Sequence, residues 1–318
     1  APSAGPRPSP VAPTSAGSVS RTSRSTPCGR ADSAATLTAA TASGGESAIN
    51  ISATTPAAVA HATVFDAFTN SGSTTYSLAD SAANLAGASA SVGHDAIGIT
   101  ATDAATVAQA TAIRAITNSS TKNYSLADTA QELAAAPGAV ANAASNITAT
   151  DPATVTEAAV IGSFTNSGTT TYSIADTAAA LAAAPASVGN GATDITVTDL
   201  ATVAQASAVE AFSNSGIKSF SLLDTAVNFG GASSLVGNGA TDIIVIDPAT
   251  VAQATVIEGF TNSGIKSFSF AASAANFTAP IPGNHTTHIG ACALSVQNPP
   301  VVARACLHRG CSLTSAPP

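Results

Sequence analysis

A ten-residue stretch returns through the chain every 48 residues without insertion or deletion. It reads YSLADSAANL from Tyr76, YSLADTAQEL from Tyr124, YSIADTAAAL from Tyr172, FSLLDTAVNF from Phe220 and FSFAASAANF from Phe268. A fixed period of this size is typical of proteins that stack copies of one supersecondary unit. The period therefore constrains the fold more than any other feature of the sequence.

Each stretch divides at its aspartate into a strand pattern and a helix pattern. In the second copy, Tyr124 to Ala127 alternates large and small residues, which indicates a half-buried strand, and an Ala-rich run follows Asp128. A second series with the same order lies between these copies. It reads ISATTPAAV from Ile51, ITATDAATV from Ile99, ITATDPATV from Ile147, ITVTDLATV from Ile195 and IIVIDPATV from Ile243.

The two series predict an α/β fold made of half-repeats of about 24 residues, each with one strand and one helix. Strands joined through helices pair in parallel by right-handed crossovers. We expect an open right-handed solenoid with one parallel sheet and the helices on its other side. The predicted strands start near residues 51, 76, 99, 124, 147, 172, 195, 220, 243 and 268.

The chain divides into three parts by composition. Residues 1–31 are rich in Pro, Ser and Arg and poor in large apolar residues, which predicts disorder. Residues 32–279 carry the repeat array, and residues 280–318 lose the repeat and are expected to form an irregular or disordered tail. The four cysteines lie outside the array; Cys306 and Cys311 could pair in an oxidising compartment or remain as thiols.

An aspartate stands at most of the predicted junctions between strand and helix. Aspartate is a preferred N-cap residue, and Pro152 and Pro248 follow their aspartates where a first helical residue is expected. The alternative is a ladder of metal ligands along the sheet edge, but capping already uses the carboxylates. The predicted N-caps are Asp80, Asp103, Asp128, Asp151, Asp176, Asp199, Asp224 and Asp247.

Threonines alternate with inward-facing apolar residues in the second series of strands. Rows of T-x-T on a flat sheet resemble the arrangement in ice-binding solenoids, and small polar residues also simply solvate a sheet face. Serine and alanine dilute the grid, and Ile244 and Ile246 interrupt it. The possible surface-binding residues are Thr100, Thr102, Thr148, Thr150, Thr196 and Thr198.

Other candidate sites have weaker patterns. The loops at 189–194 and 237–242 resemble calcium-binding glycine–aspartate repeats but lack their spacing. His285 and His288, and Cys306, His308 and Cys311, are the clusters of soft metal ligands, and they lie in the tail. His61 and His94 are isolated, and no catalytic triad, P-loop or dinucleotide fingerprint is present. We therefore expect no enzyme activity, metal or cofactor.

Charge is unevenly distributed along the chain. The net charge is −8, but all 18 acidic residues and only 4 of the 10 basic ones lie within 32–279, so the array carries 4 − 18 = −14. An acidic array argues against nucleic acid and anionic membranes as partners. No apolar run approaches the length of a membrane span.

The YSLADTAANL-like and ITVTDxATVAQA-like units resemble repeats of large secreted or cell-surface bacterial proteins, including adhesins and type I secretion substrates. The resemblance covers roughly residues 32–279 and concerns architecture, so it transfers no catalytic residue. It implies a non-enzymatic structural or adhesive segment of an extracellular bacterial protein, with a surface or cell-envelope ligand and possible end-to-end continuation by further repeats. Ice binding through the threonine face and calcium binding by the loops are the alternatives.

Overall fold

A computed structural model describes residues 29–39, 48–118 and 120–269. The predictions for residues 1–28, for the segment 270–318 and for its His and Cys clusters lie outside the described residues. Within the described part, no helix is long and apolar enough to cross a membrane. The described array begins at Arg30, slightly before the boundary that the sequence pattern predicts.

Short parallel strands recur along the described chain near the predicted starts. Below, one strand with the helix or helices that follow it is called a coil. The strands are β1 (Arg30–Asp32), β2 (Ile51–Ala53), β3 (Thr74–Asp80), β4 (Ala96–Ala105), β5 (Lys122–Asp128), β6 (Ile147–Ala149), β7 (Thr170–Thr171), β8 (Ile174–Asp176), β9 (Ile195–Ala201), β10 (Lys218–Asp224), β11 (Ile243–Val245) and β12 (Lys266–Ser267).

Neighbouring strands pair in parallel, as predicted, except that β7 and β8 do not pair with each other. The predicted single sheet, however, is divided into a seven-stranded sheet with the order β1 to β7 and a five-stranded sheet of β8 to β12. The division falls inside one chain segment, because Thr170–Thr171 pairs with β6 and Ile174–Asp176 pairs with β9. The structure is thus α/β with parallel sheets and alternating strand and helix units.

Proline explains where strand pairing stops. In β4 and β9 the pairing continues past a bulge to Ala104 and Leu200, which pair with Ser125 and Ser221. The equivalent residue in the coil of β6 is Pro152, and β6 ends at Ala149. Proline has no N–H to donate to a ladder, so only an isolated bridge from Ala153 to Ile174 remains beyond it.

The same observation corrects the predicted role of Pro152 and Pro248. Neither is the first residue of a helix, because the following helices begin at Val155 and Val251. Both prolines instead stand in the extended segment between strand and helix, where they shorten β6 and β11 to three residues. The Asp-Pro pairs therefore end strands rather than start helices.

The helices are short, and the coils of β3, β5, β8 and β10 contain two of them. They are α1 (Ala34–Ala39), α2 (Val59–Asp66), α3 (Ala82–Ala86), α4 (Ala90–Asp95), α5 (Val107–Ala115), α6 (Ala130–Ala134), α7 (Gly138–Ala141), α8 (Val155–Ile161), α9 (Ala178–Ala183), α10 (Ala186–Gly191), α11 (Val203–Glu210), α12 (Ala226–Gly230), α13 (Ser234–Gly239) and α14 (Val251–Gly259). Helices of successive coils pack side by side, as α3 does on α5 and α9 on α11.

One continuous hydrophobic core runs between the strands and the helices. Strand residues such as Leu126 and Ile147 are buried, whereas Thr148 beside them is exposed. Each helix contributes a small and a large side chain to this core, such as Ala130 and Leu133 of α6. Alanine at the small positions lets helix and sheet approach closely. The other face of the sheet is left for polar or exposed side chains.

Candidate functional site: the ladders between coils and the outer face of the sheet

Most helix N-caps in the described chain are serines and threonines rather than the predicted aspartates, and the exceptions are Ala58, Pro137 and Pro185. Thr129, for example, accepts a hydrogen bond from the amide of Glu132, the third residue of its helix. Where aspartate directly precedes the cap, as Asp128 does, its Oδ1 accepts from the amide of Thr129. The residues that accept such a bond are Ser33, Ser81, Ser89, Thr106, Thr129, Thr154, Thr177, Thr202, Thr225, Ser233 and Thr250.

Each predicted aspartate instead binds the helix of the preceding coil. The Oδ2 atom of Asp128 accepts from the first amide of α5, that of Val107, at 2.9 Å, and Asp151 Oδ1 accepts from the first amide of α6 at 2.6 Å. All eight aspartates make such a bond to a residue 21 positions earlier. We call this series the aspartate ladder. The sequence pattern resembles N-capping because these aspartates do cap helices, but each one caps the helix of the preceding coil.

The contact between the first two coils contains a natural variant of the aspartate ladder. Thr55 stands where the next repeat has Asp103, 48 residues later. Its hydroxyl accepts from the first amide of α1, that of Ala34, at 3.0 Å. The position thus keeps its hydrogen-bond acceptor when its charge is lost, which indicates that the acceptor is what the position supplies.

Two of these carboxyls have a lowered pKa. Burial acts to raise the pKa of Asp224, and bonds from the Asn228 side chain and from the amides of Val203 and Thr225 outweigh it. Asp80 has its pKa lowered in the same way, against burial, by Asn84 and by the amides of Val59 and Ser81. Both groups are therefore held as carboxylates, and the hydrogen bonds that hold them are structural ones.

A second ladder joins the loops that precede the strands. Asn146 Oδ1 accepts from the amide of Thr169, and Asp194 Oδ1 accepts from that of Ile217, both at 2.9 Å and across 23 residues. Asn190 likewise accepts from the amide of Ser213. The loop predicted as a calcium-site candidate, 189–194, therefore starts within α10, and the side chains of Asn190 and Asp194 bind the next coil.

A third ladder is formed by the asparagines of the Asn-Ser-Gly turns. Asn166 Nδ2 donates to the carbonyl of Ser145, and Asn214 Nδ2 donates to that of Thr193. In two coils the Oδ1 atom is also used, as Asn166 accepts from Thr170. Where a lysine replaces that threonine, Oδ1 is buried without a partner in the described structure, as in Asn118, Asn214 and Asn262.

Buried tyrosines of β3, of β5 and of the short segment between β7 and β8 bind the helix beneath them. The hydroxyls of Tyr76, Tyr124 and Tyr172 donate to the carbonyls of Val92, Val140 and Val188 at 2.8, 2.7 and 3.0 Å. Burial raises the pKa of Tyr124 and of Tyr172, so both hydroxyls remain protonated donors. These residues belong to the core and offer no reactive group to solvent.

The six predicted threonines are all exposed on the outer face of the sheet. The first of each pair stands in a row across the strands, such as Ala127–Thr148–Thr171 and Ala175–Thr196–Ser219. The second of each pair does not: Thr102 and Thr198 lie in bulges between paired residues, and Thr150 follows the end of β6. The face is therefore made of short mixed rows and is not a regular threonine grid.

The outer face changes character near its C-terminal end. Leu223 stands where earlier coils have Ala127 and Ala175, and it pairs with Ile244. Ile246, at a position equivalent to Thr150, is 60% exposed. An open depression of about 230 Å³ lies beside these residues, lined by Val197, Thr198, Asp199, Leu200, Ser219, Phe220, Ser221 and Thr241. Sequence reasoning noted the two isoleucines only as an interruption of the threonine pattern.

The described residues include no group of three or more His, Cys, Asp or Glu side chains that could hold a metal ion. His94 is exposed and its Nδ1 lies 3.0 Å from Asp95 Oδ1. The eight aspartates share one edge of the sheets, but each is engaged with backbone amides. These hydrogen bonds join one coil to the next.

No family model, no curated protein and no solved structure matches this chain.

Proposed function

We propose that this chain is a non-enzymatic structural or adhesive repeat segment of an extracellular bacterial protein. The observation that carries the proposal is the aspartate ladder, in which eight evenly recurring carboxylates bind helix N-termini of neighbouring coils. Carboxylates that could act as catalytic groups are thereby used to hold neighbouring coils together. A unit whose main side-chain hydrogen bonds are made to neighbouring coils is suited to a scaffold that can be lengthened by duplication.

The proposed architecture is an open right-handed solenoid with the helices along one side of the sheet. It is supported by sequential parallel pairing, by helices that pack on those of the next coil, and by bonds that recur across 21 or 23 residues. Right-handed crossovers are the rule for parallel strands joined through helices. Each coil would add one strand spacing, about 4.8 Å, to the length.

The surface composition supports an exposed location. The array carries a net charge of −14 by the count above, and its outer face before residue 199 is mostly Ser, Thr and Ala. A negatively charged polar surface resists non-specific association with nucleic acid and anionic membranes. The expected ligand is a surface or cell-envelope component, and further repeats could continue the array at its ends.

Insertion of one extra repeat tests the scaffold. A second copy of residues 147–194, inserted after 194 in the full chain, should leave the protein folded and lengthen it by about 10 Å, two strand spacings. Small-angle scattering measures the length, and thermal unfolding measures stability, which should rise with an added neighbour interface. An unfolded product, or growth in all dimensions, would contradict the proposed architecture.

Ice binding is the second candidate, because all six threonines are exposed. It is tested by thermal hysteresis and ice-crystal shaping with the full chain. The control replaces exposed Thr148 and Thr150 by tyrosine, which would break contact with a flat surface. The scaffold proposal predicts no hysteresis in either protein, and hysteresis that is lost in the control would replace that proposal with ice binding.

A further inference from the structure

Large aliphatic side chains are concentrated on the outer face of the last coils. Among the described residues, nine large hydrophobic side chains are exposed, and seven of them lie between Leu200 and Ile265. Three of the seven are on helices (Val227, Leu235 and Val256), and the other four lie in or beside the strands. Five aliphatic residues share one region of the outer face, and we call them the aliphatic patch. They are Leu200, Ile246 and Ile265, which are exposed, and Leu223 and Ile244, which are half-buried.

The register of the strands brings these residues together. Leu223 pairs with Ile244, and Leu200 pairs with Ser221, two residues before Leu223 on the same face. The carbonyl of Ile265 accepts from the amide of Ile243, which places Ile265 beside the row that contains Ile244. The patch therefore extends over β9 to β12, about 15 Å at the spacing of parallel strands.

Comparison with the equivalent positions of earlier repeats shows that the aliphatic patch replaces small or polar residues. At the positions of Leu223, Ile244 and Ile246 the three preceding repeats have alanine, threonine and threonine. Ile265 likewise replaces Thr169, Thr121 and Ser73, although Ile217 already departs in the repeat between. The backbone thus accepts small residues at these positions, so the aliphatic residues are not required by the fold. Contiguous exposed apolar residues mark interaction surfaces.

We propose that the chain's own C-terminal segment, residues 270–318, binds the aliphatic patch. The segment follows directly on Ser269, next to the last strand of the patch. From there to Cys292 the chain can span up to about 75 Å when extended, well beyond the width of the patch. Residues 1–28 join the array at β1, roughly 40 Å or more away.

Charge and composition favour the same occupant. The segment 270–318 contains Arg304 and Arg309, several aliphatic residues and no acidic residue. Asp199 and Asp247 are adjacent in sequence to Leu200 and Ile246, and Asp242 Oδ1 accepts from the amide of Ile265. Arginine near such carboxylates adds favourable electrostatic interactions at the rim of an apolar contact.

The size of the patch favours a tethered occupant over a second copy. The largest apolar patch on a typical monomer exposes roughly 300–600 Å², less than the about 800 Å² per partner of a standard protein interface. A tethered segment avoids the entropy cost of bringing two molecules together, so a small apolar contact suffices. The segment would bury the aliphatic side chains.

Cross-linking tests the proposal, since no cysteine lies between Cys28 and Cys292. In the full chain, Ile246→Cys is treated with a short bismaleimide, and peptide mass mapping identifies the partner. The matched control is Thr150→Cys, at the equivalent outer position two repeats earlier. We expect several-fold more cross-link within one chain to Cys292, Cys306 or Cys311 from position 246 than from position 150.

A second variant shows whether the patch itself holds the segment. Leu223→Ala with Ile244→Thr, added to Ile246→Cys, introduces the residues of the preceding repeats, so the fold should persist by circular dichroism. The cross-link yield should then fall to that of the control at position 150. Equal yields from positions 246 and 150, a product with Cys28, a product of two chains, or a yield unaffected by the double substitution would each overturn the proposal.

Discussion

The repeat that begins at Ile99 and the repeat that begins at Ile195 have the same fold and differ in the side chains on it. In both, the two aspartates bind the first helical amides of the preceding coils. The first has Tyr124, Arg114 and Ala127 where the second has Phe220, Glu210 and Leu223. The aspartate ladder is therefore the constant element, while the tyrosine bond, the charge pairs and the outer face can change without altering the coil.

The comparison also shows a difference within the ladder. Asp224 is 7% exposed and accepts three hydrogen bonds, from the amides of Val203 and Thr225 and from Asn228. Asp128, its equivalent, is half-buried and accepts from the amides of Val107 and Thr129. The asparagine that supports Asp224 is Glu132 in the earlier repeat. The later carboxylate should therefore matter more for stability.

The largest expected effect is that of removing Asp224. Asp224→Ala leaves the amides of Val203 and Thr225 and the side chain of Asn228 without their acceptor at a buried position, and should cost about 2–3 kcal/mol of unfolding free energy. Asp128→Ala frees two amides at a half-buried position that water can reach, and should cost about 1–2 kcal/mol. Urea denaturation of the full chain measures both values. Asp224→Asn keeps one acceptor oxygen and should lose less; equal costs for the two alanine variants would remove the distinction between the repeats.

Acid should reveal the same difference. Because the pKa of Asp224 is lowered in the folded chain, its contribution is present above the unfolded value of 3.8 and is lost as pH falls through the lower folded pKa. Unfolding free energy measured from pH 6 down to pH 2 should thus decline more steeply at the acid end for the wild type than for Asp224→Asn. Parallel pH profiles would show that Asp224 does not contribute through its charge.

Exchange of the aromatic residues should have an effect of about 1 kcal/mol, the typical net value of one hydrogen bond. Tyr124→Phe removes the donor to the carbonyl of Val140 and should lower stability by that amount. The reverse change, Phe220→Tyr, should raise stability. Gly239 is the equivalent of Gly191, which leaves room for the hydroxyl of Tyr172. Thermal unfolding of both variants measures the two changes in stability. A loss of stability in both variants would contradict the gain expected for Phe220→Tyr.

The smallest expected effect concerns the charge pairs beside the strands. Lys218 lies 3.4 Å from Glu210, whereas Lys122 has Arg114 at the equivalent position. Burial, and then the charge of Arg114, lower the pKa of Lys122. Arg114→Glu should raise that pKa and stabilise the fold by up to about 1 kcal/mol, the upper range for partly exposed pairs.

The same variant makes a prediction about alkaline pH. A lysine with a lowered pKa destabilises the folded state while charged, so the wild type should gain stability as pH rises from the folded pKa towards the unfolded value of 10.5. Arg114→Glu should reduce that gain. Denaturation at pH 8 and pH 10 measures it, with Glu210→Arg as the converse control that should lower stability at pH 8.

The sequence by itself determined the 48-residue period, the order of strand and helix, and the inward-facing residues such as Tyr124 and Ile147. These follow from periodicity and local propensity, which depend on residues close together in the chain. The positions of the strands were predicted to within a few residues for the same reason. The exposure of the threonines followed from strand alternation.

Only the tertiary structure decided which helix each aspartate caps. The side chain of Asp151 reaches the amide of Ala130, 21 residues earlier, because stacking places that helix N-terminus closer than its own. The extent of strand pairing was also decided by the tertiary structure. Pro152 has no N–H to donate, so it interrupts a pairing that its equivalent Ala104 makes. These bonds join residues of different coils, and a hydrogen bond across coils exists only once the coils are stacked.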